Sequence, residues 1–104
     1  MDQQQQEKII VHVDPDLEEL IPGYLTNRKN DIAAIHDALG SNDLDKIRII
    51  GHSMKGSGRG YGFEEITEIG MLIESAAKVQ QTGEILPLVR RLEDYLNRIE
   101  IVYE

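Results

Sequence analysis

The chain contains no cysteine and no tryptophan, a single phenylalanine and only three prolines among its 104 residues. Without cysteine there is no disulfide framework and no thiolate metal site, so the fold must rest on packing, which a small helical domain can manage. Basic residues are scarce as well: eleven stand against nineteen acidic ones, a formal charge of −8. A field of that sign repels nucleic-acid phosphates and anionic lipid headgroups, so neither nucleic acid nor a membrane is an expected partner. No apolar run approaches the ~20 residues of a membrane span. The start, Met1 to Glu7, is polar and holds four consecutive glutamines where a signal peptide would have an apolar core. A cytoplasmic location is the expectation.

What is present suits one soluble domain. Apolar residues make up 40% of the chain and charged residues 29%, enough for a modest core under a well-solvated surface. Residues 1–13 are expected to be a polar tail followed by an extended lead-in. Ile9 to Val13 is apolar and β-branched, but no second strand-like run is read anywhere in the chain to pair with it. Residues 14–104 carry helical signals. Asp14-Pro15-Asp16 is a helix start, with proline near N1 and acids in the first turn, and predicts a short helix over Leu17, Leu20 and Ile21.

Pro22 opens a longer helix over Tyr24, Leu25, Ile32, Ile35 and Leu39, which Gly40-Ser41-Asn42-Asp43 ends. A second long helix is predicted from Asp43 towards Tyr61, with Gly62 as its terminator. A third runs from Phe63 to about Thr82 on a stripe of Phe63, Ile66, Ile69, Ile73, Ala76 and Ala77. The fourth carries Leu88, Val89, Leu92, Tyr95, Leu96, Ile99 and Val102, with Pro87 in its first turn. Four amphipathic helices joined by short turns predict an all-α fold: an antiparallel up-down-up-down four-helix bundle with a short N-terminal helix, monomeric because the four stripes can satisfy one another.

The chemistry concentrates in Gly51-His52-Ser53-Met54-Lys55-Gly56-Ser57-Gly58-Arg59-Gly60-Tyr61-Gly62. With roughly 100° of rotation per residue, Ile47, Ile50, Met54 and Tyr61 fall within about 40° of the side opposite His52, so the core face and the imidazole stand back to back. Asp45, Arg48, Ile49, Lys55, Gly56 and Arg59 share the side of His52. Three cations against one carboxylate make that face basic on an acidic protein, a site suited to an anion. Glycine costs about 0.8–1 kcal/mol relative to alanine inside a helix, so Gly56, Gly58 and Gly60 need a compensating role. Gly56, one turn after His52, clears space above the imidazole. Close packing against neighbouring helices is the expectation for Gly58 and Gly60.

His52, Lys55, Gly56, Ser57 and Gly62 together form the pattern H-x-x-K-G-S-x-x-x-x-G, and on them the chain, from about Val13 to Tyr103, resembles the histidine-containing phosphotransfer (HPt) domains of two-component phosphorelays. The resemblance implies that His52 is the phosphoacceptor, that Lys55 steadies the phosphoryl group, that Gly56 gives the partner access and that Gly62 ends the helix. It also implies a response-regulator receiver domain and a sensor or hybrid histidine kinase as partners. The chain then needs no cofactor or metal of its own, the Mg²⁺ being expected on the receiver. Two positions depart from the family: Met54 stands where leucine is usual and Gly58 where serine or alanine is usual.

Neutral imidazole is a competent nucleophile near pH 7, its reference pKa being about 6.5, and phosphoryl transfer needs chiefly in-line positioning and charge stabilisation. Lys55 is the first choice for the cation, with Arg48 and Arg59 secondary and Ile49 supplying an apolar docking contact. No kinase motif is present, so a phosphoryl carrier rather than an enzyme is expected. His12 and His36 lack such neighbours and are read as structural or solvent-facing. A P-loop fails because Ser57 stands where lysine is required and no strand precedes. A G-x-G-x-x-G loop fails at Tyr61 and Phe63, and a di-iron bundle fails for want of a Glu-x-x-His pair. The rival in another class is a helical interaction module that docks a signalling partner without carrying phosphate.

Overall fold

A computed structural model describes residues 7–104; most of the expected polar tail, Met1 to Gln6, lies outside them. The β-branched run Ile9–Val13 is a strand, β1. Asp14 then caps a single 3₁₀ turn, Pro15–Leu17, its Oδ1 accepting from the Asp16 N–H at 2.9 Å. The short helix expected over Leu17, Leu20 and Ile21 does not continue. Leu20 is instead the N-cap residue of α1, Ile21–Gly40, with Pro22 in the first turn where its missing N–H is harmless.

Asp43 caps α2, Leu44–Ser57, accepting from the Lys46 N–H at 3.1 Å. This helix ends before Tyr61. A 3₁₀ turn, Arg59–Tyr61, follows and is closed by Gly62 with φ +98°, a left-handed conformation that glycine adopts without a Cβ penalty. α3 spans Glu64–Lys78 rather than reaching Thr82, and Thr82–Glu84 forms its own 3₁₀ turn. Phe63, expected as the first helical residue, is the N-cap residue of α3 and is fully buried. α4 covers Ile85–Arg98.

The largest departure from expectation is at the end of the chain. Ile99 and Val102 do not extend the stripe of α4 but belong to a second strand, β2, Ile99–Tyr103. It runs parallel to β1, with Ile9 opposite Ile99 and Val13 opposite Tyr103. Ile-Glu-Ile-Val-Tyr is as rich in β-branched and aromatic residues as β1, and its apolar spacing suits a strand as well as a helix. The lead-in therefore has the partner that the sequence reading did not find. The backbone N–H of Glu104 donates to the Val13 carbonyl at 3.1 Å, and the Glu104 carboxylate pairs with His12.

The four helices bury one core. Ile35, Ile47, Met54, Phe63, Ile66, Ile69, Ile73, Ile85, Val89 and Leu92 lose all solvent contact, and Val11 and Val13 of β1 join them. α2 and α3 are the most closely packed pair. A Cβ built on Gly51 would lie 2.7 Å from the backbone nitrogen of Glu74, and one on Gly70 would lie 2.6 Å from that of Lys55. These approaches are too short for any side chain larger than hydrogen, so the two backbones meet at glycine.

Candidate functional site

α2 presents two opposite faces. Ile47, Gly51 and Met54 are buried, whereas the side chain of His52 is 65% exposed. The back-to-back arrangement read from the helical period therefore holds for Ile47 and Met54, whereas Ile50 is half-buried and Tyr61 lies beyond the end of α2. Gly56, one turn further, has no atom within 4 Å of a hypothetical Cβ, so the space beside the imidazole is open. Ile49, one turn before it, is exposed.

The group that organises this face comes from α3 and was not anticipated. Glu74 is buried, yet its carboxylate reaches two side chains of α2: Oε2 lies 3.0 Å from His52 Nδ1 and Oε1 lies 2.8 Å from Lys55 Nζ. The hydrogen bond from Lys55 holds the Glu74 carboxyl below the usual carboxylate range, with His52 acting in the same direction and burial opposing both. An ionised carboxylate only accepts hydrogen bonds. The imidazole must therefore donate from Nδ1, which leaves the lone pair of the neutral ring on Nε2. Glu74 was legible only as one acid among nineteen; the available signal was its place inside the buried stripe of α3, beside Ile73 and one turn after Gly70.

The basic face is correspondingly less basic than the helical projection implied. Lys55 is paired with Glu74, and Arg48 is tied to Asp45, Nη2 donating to Oδ1 at 2.8 Å. Arg59 is exposed and makes no ion pair among the described residues. The helical projection from His52 no longer applies to it, because α2 has ended at Ser57 and Arg59 opens the 3₁₀ turn. Its backbone N–H donates to Thr67 Oγ1 at 2.7 Å, and that hydroxyl donates to the Lys55 carbonyl at 3.2 Å. Met71 of α3, one turn before Glu74, is a second exposed apolar residue near the site that the sequence reading passed over.

Of the two glycines assigned to packing, only Gly58 has that role: its Cβ would meet Thr67 N at 2.6 Å, whereas Gly60 faces open space. Ser57 turns inward, its Oγ 3.0 Å from the Tyr24 hydroxyl. Arg28 caps that corner, its guanidinium carbon 4.5 Å from the centroid of the Tyr24 ring. Tyr24 in turn stacks on Tyr61 and Phe63. α1 is thereby locked to the end of the site helix. Gly62 packs against β1, a Cβ there coming within 3.3 Å of the His12 carbonyl. The side chains of His12 and His36 are both exposed.

Among the described residues no helix is long and apolar enough to cross a membrane. Comparison with curated proteins and with solved structures returned no match. A family model, that of the Hpt domain, matches residues 19–101, from just before α1 to the middle of β2. That span includes His52, Lys55 and Glu74 and covers most of the chain. The protein belongs to the Hpt domain family, whose members pass phosphoryl groups through histidine in two-component phosphorelays.

Proposed function

We propose that this protein is a phosphoryl carrier whose acceptor atom is Nε2 of His52. The observation that carries the reading is the 3.0 Å contact between His52 Nδ1 and the buried Glu74 carboxylate on an otherwise exposed ring. It fixes the tautomer in which Nε2 is the nucleophile. The Nε2 lone pair attacks the phosphorus of an aspartyl phosphate on a receiver domain. The P–O bond to that aspartate breaks and its electron pair leaves on the carboxylate. Nδ1 keeps its proton throughout, so the ring becomes cationic as the P–N bond forms, and Glu74 stabilises that charge as the buried acid of a catalytic triad does. Transfer to a second receiver is the same step reversed.

Lys55 holds the phosphoryl oxygens. An ammonium has three N–H donors, and one directed at Glu74 leaves two for the incoming group. Gly56 gives the receiver room, and Ile49, Met71, Arg48 and Arg59 form the docking rim. The Mg²⁺ that the reaction uses belongs to the receiver. In this reading the helices run alternately up and down, the protein acts as a cytoplasmic monomer, and it has no kinase activity, taking its phosphate from a receiver or a sensor or hybrid kinase.

The test is transfer from a phosphorylated receiver to the wild type and to His52→Gln, followed by acid and alkali treatment. Acid-labile, alkali-stable label on the wild type alone is expected. Absence of label from a broad panel of receivers would favour the interaction module instead.

A further inference from the structure

Glu74 and the pair it bridges sit on different helices, so their contact depends on how closely those helices approach. At the site itself the two backbones come into direct contact. A Cβ on Gly51 would come within 2.7 Å of Glu74 N and 2.9 Å of the Gly70 carbonyl oxygen. A Cβ on Gly70 would come within 2.6 Å of Lys55 N, 2.7 Å of the Gly51 carbonyl oxygen and 2.7 Å of Met54 Cβ. These obstacles under 3 Å are backbone atoms and a Cβ, none of which can swing aside; Ile73 Cγ2 adds a further contact to Gly51 at 3.1 Å. The backbone nitrogens they meet are those of Glu74 and Lys55, so added bulk would displace the residues that carry the carboxylate and the ammonium.

We infer that Gly51 and Gly70 are positioning residues for His52: by letting the α2 and α3 backbones touch, they bring the Glu74 carboxylate within reach of the imidazole and Lys55 together. The inference rests on the phosphocarrier reading for its consequence, but its geometric content concerns only the tautomer of His52. A glutamate side chain has a limited reach, and its carboxylate makes both bonds at once, at 3.0 and 2.8 Å, so moving the helices apart draws it away from His52 and Lys55 together. Gly58 supplies the contrast. Its Cβ would clash as severely, 2.6 Å from Thr67 N, but at the far end of the helix contact, two turns of α3 away from Glu74.

The experiment is nitrogen-15 NMR of the His52 ring at mildly alkaline pH, where imidazole is neutral, in the wild type, Gly70→Ala, Gly51→Ala, Gly58→Ala and Glu74→Asp. An excluded osmolyte keeps the destabilised variants folded. The wild type and Gly58→Ala should hold the Nδ1–H tautomer. Gly70→Ala, Gly51→Ala and Glu74→Asp, the last shortening the reach by one methylene with the helix contact intact, should relax to the mixture of an unattached ring. Phosphoryl transfer in the glycine variants should slow by up to about 100-fold, the scale of a 1 Å misplacement. Gly70→Ala should add nothing in a Glu74→Ala background.

An intact Nδ1–H tautomer in folded Gly70→Ala or in Glu74→Asp would overturn the inference, as would losses that simply add in the Glu74→Ala background. If no variant, nor the wild type, accepts phosphate, the carrier reading fails while the tautomer measurement still decides the role of the glycines.

Discussion

Glu74 accepts from His52 across 3.0 Å although 22 positions separate them in the chain. The contact joins a buried acid to an exposed ring, so the acid is protected from solvent while the ring remains available to a partner. That division of labour suits a carrier, which must orient its acceptor without enclosing it.

Replacing Glu74 by alanine should slow phosphoryl transfer by up to about 100-fold, because the ring loses both its orientation and the charge that stabilises its cationic form. Glutamine at this position can still accept from Nδ1 but carries no charge, so Glu74→Gln should fall between wild type and Glu74→Ala. Single-turnover transfer from a phosphorylated receiver measures all three.

The same carboxyl makes stability depend on pH. Its folded-state pKa is held below the ordinary 4.5, chiefly by the Lys55 hydrogen bond. The unfolded chain therefore takes up this proton first as pH falls. The stabilisation is complete above the ordinary value and is lost as pH drops through the folded-state value. Urea midpoints of the wild type should fall across that acid window more than those of Glu74→Gln, and equal pH dependence would contradict the assignment.

Arg59, with no ion pair among the described residues, should matter more to encounter with an acidic partner surface than Arg48, which Asp45 already neutralises at 2.8 Å. Arg59→Ala should slow association by about tenfold at low ionic strength, and the effect should fade as salt is added. Arg48→Ala should produce a smaller change, and stopped-flow association rates across a salt series separate the two.

Gly62→Ala should cost about 1–3 kcal/mol of stability, the usual penalty for a non-glycine residue held at a left-handed φ; here φ is +98° and the His12 carbonyl leaves little room. Met54→Ala should cost about 2–5 kcal/mol by opening a cavity beneath the site helix, where Met54 is fully buried. Denaturant unfolding reads both.

Much of this protein was legible in its sequence. The helical period placed Ile47 and Met54 in the core and His52 in solvent, because one helix carries all three and its geometry is local. Proline, glycine and Asx residues marked the turns for similar local reasons, and the spacing from His52 to Gly62 was enough to suggest the family. Other features depended on more than one segment. Ile99 to Tyr103 has an apolar pattern that fits helix or strand, and only the nearby β1 decides for strand. Gly58 and Gly60 look alike in sequence, yet one lies against Thr67 and the other faces open space.

The sequence by itself determined the helices, the buried face of α2 and the exposure of the His52 imidazole, all of which follow from periodicity along one segment. Only the tertiary structure decided that Glu74 is the acid that orients His52 and pairs with Lys55. That choice depends on the distance between two helix backbones, which two glycines far apart in the chain set by meeting, and no local pattern encodes it.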